Sequence, residues 1–221
     1  KIGDIYGTGY QKTEDGQFIL TPSGSYIADN NLKKIGNYTP DFMLGWNNSF
    51  SYKNWSLSFL LDWRQGGELV SRTRALGTVG GQLAETANRP EEGIVPQGVV
   101  NTGTAENPQY VQNTTAVSAE TYYRQFYDRN HEENNIYDAS YLKLRQFSVG
   151  YTFNLKDGFL GLSNGMDIDL ALVGRNLFAF SEIPHFDPEQ LAVQGTSFVS
   201  GVEDMSYATT RSIGLKAGFN F

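Results

Sequence analysis

The sequence predicts an all-β chain whose strands belong to a transmembrane antiparallel β-barrel, with long extracellular loops and a short helix. Three observations predict it. Five segments alternate apolar and polar residues with the period of a strand. Their polar sides carry Ser, Asn, Gly and Thr rather than the Lys and Glu of a water-facing sheet, and aromatics gather toward the ends of their apolar sides. The links between segments are short and long in turn, as the periplasmic turns and outer loops of a barrel are.

Composition agrees. The chain has 221 residues, with 13 Tyr, 14 Phe and 24 Gly against 7 Pro, a balance that favours strands. It has no Cys, which excludes a disulfide scaffold and thiolate metal sites. With 17 basic against 24 acidic residues and a net charge of -7, it lacks the clustered cations a nucleic acid requires. Mean hydropathy is -0.40, and no run approaches the ~20 apolar residues of a spanning helix. A barrel strand needs only about 9–11 alternating residues, which hydropathy averages away.

In chain order, residues 1–40 read as an extracellular excursion with a small hairpin turning at Glu14-Asp15-Gly16-Gln17. The first barrel strand covers about 41–52, with Phe42, Leu44, Trp46, Phe50 and Tyr52 opposing Gly45, Asn47, Ser49 and Ser51. A tight turn at Lys53-Asn54 leads into the second, about 54–66, where Trp55, Leu57, Phe59, Leu61 and Trp63 oppose Ser56, Ser58, Asp62 and Arg64. In the third, about 141–155, Phe147, Val149, Tyr151, Phe153 and Leu155 form the apolar side. Leu142 and Leu144 fall on the other parity, which places a bulge near Arg145-Gln146. The fourth, about 164–180, sets Met166, Ile168, Leu170 and Leu172 against Asp167 and Asp169. The fifth, about 207–221, sets Ile213, Leu215, Ala217, Phe219 and Phe221 against Ser212, Gly214, Lys216, Gly218 and Asn220.

The long links 67–140 and 181–206 read as extracellular loops. The first holds ten acidic and five basic residues, the second five acidic and no Lys or Arg, so together they carry -10 and the strands are spared. Within the first, a helix is expected over 118–128 behind a Ser118 cap, with a weaker candidate at 78–87. Five strands do not close a barrel, for which ~8 is the practical minimum, and open edges are prohibitive in hydrocarbon. The chain therefore reads as a segment of a longer polypeptide, with the remaining strands upstream.

Five motifs resemble the last stretch of the SusC/RagA family of TonB-linked outer-membrane proteins, and in the family's order. They are Lys34-Ile35-Gly36-Asn37-Tyr38-Thr39-Pro40-Asp41-Phe42 leading into Gly45-Trp46-Asn47-Asn48-Ser49-Phe50-Ser51-Tyr52-Lys53; Asp62-Trp63-Arg64-Gln65-Gly66-Gly67; Tyr137-Asp138-Ala139-Ser140-Tyr141-Leu142-Lys143-Leu144-Arg145 with Gly150-Tyr151-Thr152-Phe153; Gly174-Arg175-Asn176-Leu177-Phe178 with Phe186-Asp187-Pro188-Glu189; and Arg211-Ser212-Ile213-Gly214-Leu215 running to Phe221. The resemblance implies the C-terminal part of a 22-stranded barrel in the outer membrane, its C-terminus periplasmic and its plug domain upstream of this segment. It implies import of oligosaccharide or peptide nutrients, energised through TonB. The implied partners are a SusD-like surface lipoprotein acting as a lid, and a second barrel–lipoprotein pair. Phe219 and Phe221 resemble the aromatic C-terminal assembly signal, with Lys216 where a glycine is usual. The alternatives are a siderophore- or cobalamin-type TonB-dependent receptor and a soluble β-sandwich that binds glycans or acts as an adhesin.

No catalytic triad, phosphate loop or nucleotide fingerprint appears, so no enzyme, cofactor or metal is expected. Asp62, Arg64, Arg175 and Lys216 fall on the polar sides of their strands and are expected to face the lumen. Tyr122, Tyr123, Arg124 and Tyr127 combine rings that stack on sugars with a guanidinium that forks onto carboxylates; Asp187 and Glu189 lie in an acidic loop. These six are the candidates for substrate or lid contact, and packing of the loops is the competing role for each.

Overall fold

A computed structural model describes residues 2–155, 166–189, 192–194, 197–205, 207 and 209–220. The chain divides into two units. One comprises 40–66, 139–188 and 207–221, the other 1–39, 67–138 and 189–206.

The first unit is a five-stranded antiparallel sheet of β1 (Phe42–Tyr52), β2 (Trp55–Gln65), β3 (Tyr141–Leu155), β4 (Met166–Ser181) and β5 (Ser212–Asn220). Each strand pairs with its neighbour in sequence, giving an up-and-down order with β1 and β5 at open edges. The β1–β2 turn is two residues long, since Tyr52 faces Trp55, and Lys53 takes a φ of 52°, as the favoured hairpin turns demand. Asn54 fastens that turn to β3, its Nδ2 donating to Thr152 O and Asn154 Oδ1 at 2.6 Å each. The β3–β4 link expected at 156–164 lies outside the described residues.

Register sorts the side chains. On one face Leu44 pairs with Trp63, Leu57 with Phe50 and Val149, and Leu172 with Val149 and Leu215. The β2–β3 ladder shifts by one residue between Leu144 and Gln146, so Leu142 opposite Trp63 and Leu144 opposite Leu61 join the same face as Phe147 and Val149. The bulge therefore keeps the apolar face continuous although the sequence parity breaks. No residue in register on this face carries a charge; Asp62, Arg64, Lys143, Asp167, Asp169, Arg175 and Lys216 all take the other.

Among the described residues of this unit, nothing covers the apolar face. Phe42 is 43% exposed, Trp46 55% and Leu215 87%. A water-soluble sheet would bury such a face against a second layer. Aromatics mark its two ends. Near the hairpin, Trp55 and Tyr151 meet edge to face at 4.9 Å; at the far end, Phe42 and Trp63 do so at 4.9 Å. Ten residues of β1 separate the two ends, roughly 33 Å along the strand. At the usual barrel tilt that is about 25 Å of height, the thickness of an apolar barrel band.

β5 starts at Ser212, five residues later than expected, because the residues before it bond elsewhere: Thr209 Oγ1 donates to Asp187 Oδ2 at 2.5 Å and Thr210 O accepts from Asn176 Nδ2 at 3.2 Å.

The second unit gathers what the sequence presents as three separate loop regions. Asp4–Tyr10 pairs antiparallel with Ala28–Asn37; Ile19–Leu20 pairs parallel with Val99–Asn101, which also pairs with Tyr110–Gln112; Glu68–Ser71 lies between Val202–Glu203 and Ile136–Asp138. The hairpin turn at 14–17 forms, with Gly16 N donating to Thr13 O at 2.9 Å. Two helices complete the unit, α1 (Arg72–Val79) and α2 (Ala119–Phe126). α2 is capped by Ser118, whose Oγ accepts from Thr121 N at 3.1 Å. The expected helix at 78–87 is displaced: α1 begins earlier, on Ser71, and stops at Gly80-Gly81, where Gly81 takes a φ of 67°. Only a single 3₁₀ turn follows, over Ala84–Ala87. The core of the unit is aromatic: Tyr10 and Tyr26 with Leu20, packed by Phe18, Tyr122 and Phe126.

Candidate functional site

The polar face of the sheet carries the chemistry of the first unit. Two charge networks occupy it where the strands run out toward the long links. Arg145, the residue extruded at the bulge, turns onto this face and donates through Nε at 2.9 Å and Nη2 at 2.5 Å to Asp62 Oδ2, on which the Tyr141 hydroxyl also converges at 3.4 Å. Next to it, the Lys143 ammonium bonds the Asp187 carboxylate, whose other oxygen accepts from Thr209. The Lys143 and Asp187 side chains are only 4% and 7% exposed, so this pair is desolvated. The segment after β4 brings Asp187 onto the sheet, with Ile183 and Phe186 buried beside it.

Of the four residues expected to face the lumen, all share this face but not one environment. Asp62 is half-buried in the Arg145 network, and Arg64 is buried with its Nε 3.4 Å from Gly66 O. Arg175 and Lys216 are exposed. The carboxylates nearer the hairpin are bonded to neutral partners: Asp167 to Asn154 at 2.8 Å, and Asp169 to Thr152 at 2.5 Å and Asn220 at 3.0 Å. Phe219 lies on the apolar face opposite Ile168; Phe221 lies outside the described residues.

The α2 candidates separate from one another. Tyr122 is half-buried and stacks on Phe126 at 5.7 Å within the aromatic core. Burial lifts its hydroxyl pKa, and lifts those of Tyr127 and Tyr137 as well, though Arg74 pulls against the rise in both. Tyr127 faces the Arg74 guanidinium at 4.6 Å, which stacks on Tyr137 from 4.9 Å. Tyr123 and Arg124 instead line an open cavity of about 300 Å³ with Gly81 and Arg89. The Tyr123 hydroxyl lies 2.9 Å from Glu85 O, and Arg124 pairs with Glu120 at 3.0 Å. Asp187 is bonded to the sheet, and Glu189 is half-buried in the second unit.

The sequence reading missed Lys143, Arg145 and Thr209. The signal was present for the first two: Lys143 alternates with Leu142 and Leu144, and Arg145 stands at the parity break.

No protein-family model matches the chain. Three curated proteins of Formosa agariphila do. TonB-dependent receptor P3 is 30% identical over 207 residues, 85% of this chain and 18% of the receptor. The chain is homologous to TonB-dependent receptors. TonB-dependent receptor P26 extends the match to 98% of the chain at 26% identity, and P39 is 25% identical over 87% of it. The chain spans about a fifth of the length of these receptors, 17% to 20%. Among solved structures it resembles the RagAB peptide importer in its closed-closed and open-open states, with TM-scores of 0.55 and 0.53 at 17% and 16% identity. Each match covers 98% of this chain and 22% of the other. That likeness carries the fold.

Proposed function

We propose that this chain is the C-terminal part of the barrel wall of a TonB-dependent outer-membrane importer of the SusC/RagA kind. The apolar face of the five strands meets lipid and the polar face lines the lumen. Upstream strands close the open edges into a 22-stranded barrel, with the C-terminus periplasmic. The second unit is the extracellular region that meets cargo and a SusD-like lipoprotein lid, in a dimer of barrel–lipoprotein pairs, and TonB energises import through upstream sequence. The cargo is an oligosaccharide or a peptide. One observation carries the reading: every charged side chain in register on the sheet has been kept to one face, while the other is apolar, ringed by aromatics and uncovered.

Two measurements test it. Spin labels at positions 57, 149 and 215 of the full-length polypeptide in lipid should meet oxygen, and labels at 58, 148 and 214 an aqueous relaxation agent; equal accessibility of the two sets refutes the placement. Uptake of labelled oligosaccharide and peptide mixtures by the producing cells should fall on deletion of the polypeptide and on collapse of the proton-motive force. Uptake indifferent to both refutes import.

A further inference from the structure

We infer that the polar face of the sheet holds a carboxylate-binding site built on Arg175 and Lys216. Among the described residues, the carboxylates in register on this face, and Asp187 beside them, already have partners: Asp62 has Arg145, Asp187 has Lys143, Asp167 has Asn154, and Asp169 has Thr152 and Asn220. Arg175 and Lys216 are exposed, and neither has a hydrogen-bond or ion-pair partner among the described residues. Among the described residues, then, two cations on this face stand without an ion-pair partner, while the in-register carboxylates are already bonded.

They also stand in a hollow. A cavity of about 260 Å³ is lined by Ser58, Gln146, Ser148, Arg175 and Lys216. A second, of about 410 Å³, shares Gln146 and Arg175 with it and is bounded by Gly45, Asp62 and Arg145. Small residues keep the floor open: a Cβ built on Gly45 meets nothing within 4 Å. The shift in the β3–β4 ladder between Leu144 and Gln146, where Asn176 takes a φ of 49°, sets Arg175 opposite Gln146 at the junction of the two hollows. Arg175 pairs with Ser212, four residues from Lys216 on the adjacent strand, so the two backbones stand roughly 13 Å apart along the sheet.

The chemistry follows from the lining. A guanidinium offers a planar fork that matches a carboxylate, an ammonium adds a point charge, and the Gln146 amide with the Ser58 and Ser148 hydroxyls supplies neutral donors. The fitting ligand carries carboxylates, as an acidic peptide or a uronic-acid oligosaccharide does, and both cations reach the one cavity that would receive it. Calling that ligand cargo rests on the import reading above; the site itself does not.

The test is calorimetric titration of the full-length polypeptide in detergent with trigalacturonate and triglutamate, and with their neutral counterparts, the trimethyl ester and triglutamine. The parent protein is expected to bind at least one anion tenfold or more tightly than its neutral counterpart, and the anion that binds names the source. Arg175→Gln with Lys216→Gln is expected to lose about tenfold per cation, whereas Arg175→Lys with Lys216→Arg retains most of the affinity. Equal binding by the parent and the double glutamine variant overturns the site. So does a parent that binds neither anion, which would leave the cations to an acidic segment of the same polypeptide. Anion binding without uptake in cells would sink the import reading and leave the site standing.

Discussion

Replacing Lys143 by Met should release the segment that follows β4 from the polar face of the sheet. The substitution keeps the length and volume of the side chain and removes its charge. Because Lys143 and Asp187 are 4% and 7% exposed, the aspartate would stay desolvated without its cation, retaining the Thr209 hydroxyl at 2.5 Å. Breaking a buried pair from one side costs about 3–5 kcal/mol, which corresponds to roughly 10²- to 10⁴-fold in a local opening equilibrium. Hydrogen exchange of the full-length polypeptide in detergent, read on peptides covering 182–188, should accelerate about a hundredfold or more, while β2 exchanges as before. Asp187→Asn should have a smaller effect, because its amide oxygen still accepts from Lys143 or Thr209. Exchange of 182–188 within threefold of the parent in Lys143→Met would refute the claim that this pair holds the segment down.

Leu215 is 87% exposed at the middle of the apolar face, so Leu215→Arg should cost about 2–4 kcal/mol of folding into lipid vesicles, measured on the full-length polypeptide by denaturant titration; Gly214→Arg, on the other face, should be near neutral. Ser71→Ala removes both the cap of α1, where Ser71 Oγ accepts from Arg74 N at 2.9 Å, and a donor to the fully buried Glu203 at 2.9 Å; a loss of about 2 kcal/mol is expected as faster exchange across Arg72–Val79. Glu133 supplies a pH dependence. Burial raises its pKa, but bonds from Lys12 at 2.7 Å and Lys33 at 3.1 Å outweigh burial and leave it below the ordinary carboxylate value. A depressed folded pKa stabilises above the unfolded value of about 4.3, and that stability is lost as pH falls through the folded value. Protection of Asp4–Tyr10, corrected for intrinsic exchange, should therefore fall on acidification below pH ~4, and less so in a Lys12→Ala, Lys33→Ala variant that lacks the pair from the start.

The sheet was legible because a strand reports its own two faces. Leu57 and Ser58, or Leu215 and Gly214, differ by one step along the chain and by the whole thickness of the sheet, and no distant residue is needed to say so. Even the bulge announced itself, as Leu142 and Leu144 on the wrong parity. The second unit was not legible. Its parallel pairing of Ile19–Leu20 with Val99–Asn101, and of Val202–Glu203 with Glu68–Ser71, joins short segments far apart in sequence, and two or three residues carry too little pattern to name a partner. For the same reason α1 was expected too late: its cap, Ser71, is fixed by Glu203, 132 residues away. Local alternation thus determined which side of each ribbon is apolar, because that is written every second residue. Only the tertiary structure decided which charges find partners, joining Lys143 to Asp187 and leaving Arg175 and Lys216 without one among the described residues, because pairing depends on where the chain returns, and no repeating pattern encodes a return.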